Sequence, residues 1–298
     1  MPRTTPAPPE ASRGAPAEAP HREGDGIAGL FDRAAASYDR VGIDLLPAAG
    51  RLLVTHARIT EGEHVLDTGC GTGAVLFPAA RAVGPRGSAT GIDVSPAMIE
   101  RVRQRSAEQR MHWLRTHVAD AEEPPRALLR PPADGYDAVT AGMLLSFLRR
   151  PERAFRGFRS VLRPGGRLAV SWWGPEAPGW YRVVEATRPF GPGTPEEIET
   201  AVAGQSPPQT PELVRRLARE AGFTSVELYE ERLEATFRGP DHWWEWTWST
   251  AARAFWESVP PDRLPSARAA AEKALEALRA PDGTLPYVLT ANFAVCHR

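Results

Sequence analysis

His64-Val65-Leu66-Asp67-Thr68-Gly69-Cys70-Gly71-Thr72-Gly73-Ala74 decides the fold: an apolar run that predicts a strand, a glycine turn, then a helix from about Ala74 to Ala82. Glycines at 69, 71 and 73 permit positive φ and let a ligand approach the main chain at a distance that a Cβ would block. The helix that follows would aim its free amides and positive end at that ligand. Any tight strand-to-helix connection uses the same residues, so the turn acquires meaning only from its context.

Two further acids supply that context. Ser88-Ala89-Thr90-Gly91-Ile92-Asp93 reads as a buried second strand that ends 26 residues after Asp67. In a βαβ unit a carboxylate at that place can accept both hydroxyls of a ribose. Asp120 closes His112 to Ala119, a third strand by its β-branched and aromatic content, and can accept from an exocyclic amine such as that of adenine. A glycine turn and three strand-end acids describe an adenosine site in the crevice of an open α/β sheet.

With those residues in place, VLDTGCGTG (65–73), GIDVS (91–95) and VADAEE (118–123) resemble the consecutive signature segments of class I S-adenosylmethionine-dependent methyltransferases. FDRAAASYDR (31–40) is similar to the entry helix of the ubiquinone/menaquinone-biosynthesis-like branch and of actinobacterial-type small-molecule methyltransferases. YDAVTAGMLLSFL (136–148) and LRPGGRLAVSWW (162–173) continue the pattern through a fourth and a fifth strand, so the likeness runs from about Gly29 to Trp173. It implies an α/β fold with a Rossmann-like seven-stranded sheet, mostly parallel with an antiparallel last strand, plus a helical substrate cap. It also implies S-adenosyl-L-methionine as cofactor. The residues it assigns to that cofactor are Tyr38, facing the methionine part, with Asp67, Gly69, Cys70, Gly71, Gly73, Asp93, Val94, Met98, Asp120, Ala121 and Ala141. Val94 and Met98 would flank the adenine, although Met98 serves equally well as plain core.

The totals fit this reading. The 298 residues are 42% hydrophobic with a net charge of −1, which describes an ordinary core former and argues against a nucleic-acid or membrane partner. Two cysteines, Cys70 and Cys296, exclude a disulfide framework and a metal cluster and point to a reducing cytoplasm. The amino-terminal segment lacks the layout of an export signal. Residues 1–25, rich in proline, are expected to form a disordered tail. The expected methyltransferase domain covers 26–298, with cap insertions at about 174–210 and 238–283. Oligomeric state stays open.

Ile27, Leu30, Phe31, Ala34, Ala35 and Tyr38 predict an amphipathic helix over 27–38, with Phe31 as core, and a second helix is expected over 43–56. Ser95 and Pro96 mark a capped helix start. Leu162 to Gly166 reads as a helix-to-strand turn. Thr194-Pro195-Glu196-Glu197 and Thr210-Pro211-Glu212 read as helix starts, the second helix stopping at Gly222. A sixth strand is expected over 224–237 and a seventh over 286–295, with a helix between them carrying Ala271, Ala274, Leu275 and Leu278 on one face.

The acceptor side is less patterned. Many relatives of the resembled family place a polar group after the fourth strand; this chain has Met143, Leu144 and Leu145 there, which implies an apolar acceptor surface and no strong base. Four of the nine tryptophans fall within Trp243 to Trp248. They read either as a hydrophobic lid over the acceptor or as the way the insertion docks. The expected substrate residues are Met143, Leu144, Trp173, Trp243, Trp244 and Thr247; the catalytic residue is unassigned, with His242 a weak candidate base. Alignment alone can supply roughly 7 to 11 kcal/mol of such a barrier, so an activated oxygen or carbon acceptor needs little acid or base. The expected function is methyl transfer to a small, largely apolar acceptor in specialised or quinone-like metabolism. A protein of this fold that catalyses a cyclisation or only binds the cofactor stays open. So does an NAD-dependent oxidoreductase, because Gly69 to Ala74 also satisfies G-x-G-x-x-A.

Overall fold

The computed structural model describes residues 26–124, 134–193 and 209–298. The tail over 1–25 and the helix start at Thr194 lie outside the described residues. In chain order come α1 (Ile27–Ala34), α2 (Leu45–His56), β1 (His64–Thr68), α3 (Leu76–Val83), β2 (Ser88–Asp93), α4 (Pro96–Glu108), β3 (Leu114–Val118) and β4 (Tyr136–Gly142). They are followed by α5 (Pro151–Val161), β5 (Leu162–Glu176), α6 (Tyr181–Thr187), α7 (Pro211–Ala221), β6 (Ser225–Phe237), α8 (Pro240–Ser249), α9 (Arg253–Ser258), α10 (Leu264–Glu276) and β7 (Leu285–His297).

The seven strands form one sheet in the order β3-β2-β1-β4-β5-β7-β6. The first five pair in parallel, and β7 runs antiparallel to both β5 and β6. Chain order reverses between β1 and β4, where Asp67 lies in register with Thr140. Open α/β sheets leave a crevice at such a reversal.

Helices cover both faces, as parallel strands require. On one face α2 buries Leu53 toward β4 and β5 while α3 buries Leu76 and Phe77 toward β1 and β2; on the other α5 and α7 bury Phe155, Phe158, Val214 and Leu217. The ends of α7 follow from its sequence. Thr210 Oγ accepts from the Leu213 N–H at 3.1 Å, and Gly222 stops the helix in the left-handed conformation at φ 88°.

Three expectations are adjusted. The first helix ends at Ala34, where the Ala34 carbonyl accepts the Ser37 N–H at 3.0 Å in a tighter turn, alongside the Tyr38 N–H at 3.0 Å and the Ser37 hydroxyl at 3.2 Å, and the chain continues to Tyr38 as turns. Pro164 to Gly166 lie within β5 as a bulge, since Tyr136 pairs with Leu162 while Ala138 pairs with Arg167. The last strand extends to His297.

Strands β5, β6 and β7 outreach the others and carry the cap. The β6–β7 ladder is continuous from Ser225 opposite His297 to Phe237 opposite Leu285. Helices α8, α9 and α10 all lie between those two paired ends, and α10 packs on α6.

Candidate functional site

A cavity of about 270 Å³ lies at the carboxyl ends of β1, β2 and β4. Asp67, at the end of β1, is buried. Its Oδ1 accepts from the Thr140 hydroxyl on β4 at 2.7 Å, and its Oδ2 has no partner. Burial pushes the carboxyl up to about 7, with the Thr140 bond opposing and the charge of Asp93 adding. Asp93, at the end of β2, accepts the Gly71 N–H on Oδ2 at 2.8 Å and the Ser95 N–H on Oδ1 at 2.9 Å. Burial raises its pKa, and those two amides oppose the rise. Asp120 stands more exposed at the rim and accepts the Glu122 N–H at 2.8 Å.

The turn between these acids is shaped for close approach. A Cβ on Gly71, at φ 51°, would meet nothing within 4 Å, so the main chain faces open cavity there. A Cβ on Gly69 would stand 2.6 Å from Leu144 Cδ1, so absence of a side chain lets the segment after β4 fold down onto the turn. That segment is itself kinked: Met143 sits at φ 52°, its N–H shared between the Ser171 carbonyl (3.1 Å) and hydroxyl (3.2 Å). Cys70 lines the cavity with its thiol pushed well above the ordinary range by burial and by the neighbouring Asp93 and Asp67 charges, which leaves it no reactive thiolate.

The structure brings together Tyr38, Asp67, Gly69, Cys70, Gly71, Asp93, Val94, Met98, Asp120, Ala121, Met143 and Leu144 around this one cavity. It does not bring Gly73, which packs over Phe77, or Ala141, which is fully buried within β4. Trp173 stands 36% exposed on β5, opposite Ala291, away from the cavity lining.

Of the two readings of the tryptophan run, docking is the one these contacts bear out, and the three substrate residues expected there lie elsewhere. Trp243, Trp244 and Thr247 do not line the cavity; they join α8 to α9. Trp243 and Trp244 pack on Trp256 with ring centres 6.0 and 4.6 Å apart, and Thr247 Oγ accepts the Trp256 indole N–H at 2.9 Å. Short helices gain attachment from the large apolar area of such rings, which is how the insertion docks. His242 is likewise absent from the lining. It is buried, its Nδ1 accepts the Arg238 N–H at 3.1 Å, and its Nε2 accordingly donates to the Val41 carbonyl at 2.6 Å. Both nitrogens are engaged, so His242 is not placed to take a proton from an acceptor.

Several lining residues escaped the sequence reading: Ile27, Phe31, Leu46, Thr72, Glu122 and Phe147. Phe31, read as core, makes edge contacts to Tyr38 (6.1 Å) and Phe147 (5.2 Å) over the cavity. Its place on the same helix face as Tyr38 was the available signal. Glu122 is buried beneath Arg150, accepting its backbone N–H at 2.8 Å and its Nε at 3.1 Å. No group of three metal-ligating side chains occurs among the described residues.

These residues fit an adenosine bearing a cationic amine. The orphaned Asp67 oxygen offers an acceptor, and the open space at Gly71 offers a cradle. A dinucleotide fits worse, because its pyrophosphate would face two buried carboxylates.

Residues 65–166 match the family model of a methyltransferase domain. The chain is 32% identical over 245 residues to nocamycin O-methyltransferase of Saccharothrix syringae, covering 78% of this chain and 85% of that protein. It is 39% identical over 141 residues to aklanonic acid methyltransferase DauC of Streptomyces sp. (strain C5), covering 47% of this chain and 62% of that one. The solved YcgJ protein of Bacillus subtilis shares the fold, with a TM-score of 0.55 at 17% identity over 84% of this chain and 98% of its own. Among the described residues no helix is long and apolar enough to cross a membrane.

Proposed function

The chain belongs to the class I S-adenosylmethionine-dependent methyltransferases, and from that premise we propose that its acceptor is a small, largely apolar molecule methylated on an oxygen or carbon that arrives already ionised or electron-rich. The observation that carries this reading is the composition of the cavity wall beyond the acids. Ile27, Phe31, Leu46, Met143, Leu144 and Phe147 face the space, and His242 is engaged elsewhere. Relatives named for nocamycin and aklanonic acid support a small organic acceptor.

When bound, S-adenosylmethionine supplies an activated methyl group on a sulfonium. In this reading Asp93 receives the ribose hydroxyls and Asp120 the adenine amine, with Val94 and Met98 beside the base. The unpaired Asp67 Oδ2 receives the cationic amine. Phe31 on α1 and Tyr38 in the turn after it roof the cavity, and Met143 and Leu144 floor it after β4. Their apolar surface excludes water and holds the acceptor in line, which leaves position as the main contribution of the protein.

The test is incubation with methyl-tritiated S-adenosylmethionine and a panel of acidic phenols, enols and aromatic carboxylic acids, read by product mass. The reading expects one added methyl on an acidic acceptor and a pH-rate profile that follows the pKa of that acceptor. Labelled alkyl alcohols or amines as the preferred products would overturn it.

A further inference from the structure

The reaction outlined above makes no use of the polar contacts of α1, although α1 supplies Ile27 and Phe31 to the cavity and leads directly to Tyr38. Two adjacent residues of this helix point to different neighbours. Arg33 donates from Nε and Nη2 to Glu257 on α9 at 3.0 and 2.6 Å. Asp32 instead reaches the first turn of α4, where its Oδ1 accepts from the Ser95 hydroxyl at 2.5 Å and from the Ala97 N–H at 3.1 Å.

That helix end serves a second carboxylate. The Ser95 N–H donates to Asp93, while the Ser95 hydroxyl oxygen caps the helix by accepting from the Met98 N–H at 3.1 Å. The partial positive charge of one helix start therefore steadies both the strand-end acid of the cofactor crevice and the helix that covers it. Further along the same segment, Asp39 pairs with Arg101 at 2.8 Å and Arg105 at 3.0 Å, and Arg105 also donates to the Thr72 carbonyl in the glycine turn at 2.8 Å.

We propose that Asp32 is a positioning residue for the cofactor: by tying α1 to the helix end that orients Asp93, it holds Phe31 and Tyr38 over the bound cofactor and sets how long the cofactor stays. Exit of the ligand past α1 requires both Asp32 bonds to break. Weakening that tie lets α1 lift more often, so the bound cofactor leaves faster. The proposal rests on the reading of Asp93 as the ribose acceptor.

The test measures association and dissociation of S-adenosylhomocysteine with the full chain by surface plasmon resonance. Asp32→Ala is expected to raise the dissociation rate about tenfold or more. Asp32→Asn keeps an acceptor oxygen but loses the charge, so a rise of about threefold is expected, and this variant carries the test if the alanine protein fails to fold. Partial unfolding would lower the binding-competent fraction without altering the dissociation rate. An unchanged dissociation rate in the folded variant would overturn the proposal. Failure of the unmutated chain to bind S-adenosylhomocysteine would instead strike the cofactor assignment itself.

Discussion

Thr140 on β4 donates a 2.7 Å hydrogen bond to one oxygen of Asp67 on β1 and leaves the other oxygen buried without a partner. The folded carboxyl is raised to about 7 from an ordinary 3.8. Between those values the folded state holds a proton that the unfolded state releases. The stability of the ligand-free protein therefore declines as pH rises through about 4 to 7, and this group contributes nothing further above that. Asp67→Asn should raise the melting temperature of the ligand-free protein at pH 8, by on the order of 1–3 kcal/mol in stability. Differential scanning fluorimetry against pH checks this.

The same carboxyl makes cofactor binding pH-dependent. A cationic amine pairs with the ionised form, so S-adenosylhomocysteine affinity should weaken by about tenfold per unit as pH falls below 7. Asp67→Asn should remove the dependence while lowering affinity at pH 8. Titration calorimetry at pH 5.5, 7 and 8.5 tests both statements, and a flat profile in the unmutated chain would refute them.

Gly71 combines φ 51° with open space where a Cβ would go. Gly71→Ala should cost about 1 kcal/mol of stability through its left-handed backbone. It should weaken S-adenosylhomocysteine binding by about tenfold or more, about 1.4 kcal/mol, because the methyl group enters the cradle. Gly69→Ala carries the same left-handed cost, at φ 66°, and its Cβ pushes the Leu144 side chain aside without entering the cradle. Comparison of melting temperature and dissociation constant for the two variants separates cradle from packing.

His242→Ala should leave turnover within about threefold while lowering stability by about 1 kcal/mol, because the part-buried Val41 carbonyl and Arg238 N–H lose their partner. Loss of most turnover at unchanged melting temperature would restore His242 as a base.

Much of the cofactor half was legible because its logic is local. Strand-end acids and a glycine turn are fixed by short-range backbone geometry, so Asp67, Asp93 and Asp120 could be placed from spacing alone. The acceptor half is assembled from segments distant in the chain. Phe31 meets Phe147 and Leu46 meets the same cavity only after the sheet has folded, and no periodicity within either segment encodes that meeting. The tryptophans left lid and docking both open for a related reason: a dense aromatic run signals burial without saying against what. Their partner, Trp256, stands on the next helix and is reached only through the turn that follows α8. His242 likewise looks reactive in sequence, and only its pairing with Val41 shows it to be an anchor.

Because Phe237 and Leu285 face each other across the β6–β7 ladder, everything between them departs from and returns to a single closed gate in the sheet. The cost of closing such a loop grows only slowly with its length, and the ladder below it feels neither the size nor the composition of what is inserted. Residues 238–284 therefore hang from one point of the sheet, and their ties to the crevice side run through Glu257 to Arg33 and His242 to Val41: a segment spliced at this pair would keep its root in the sheet but would have to supply those two partners again.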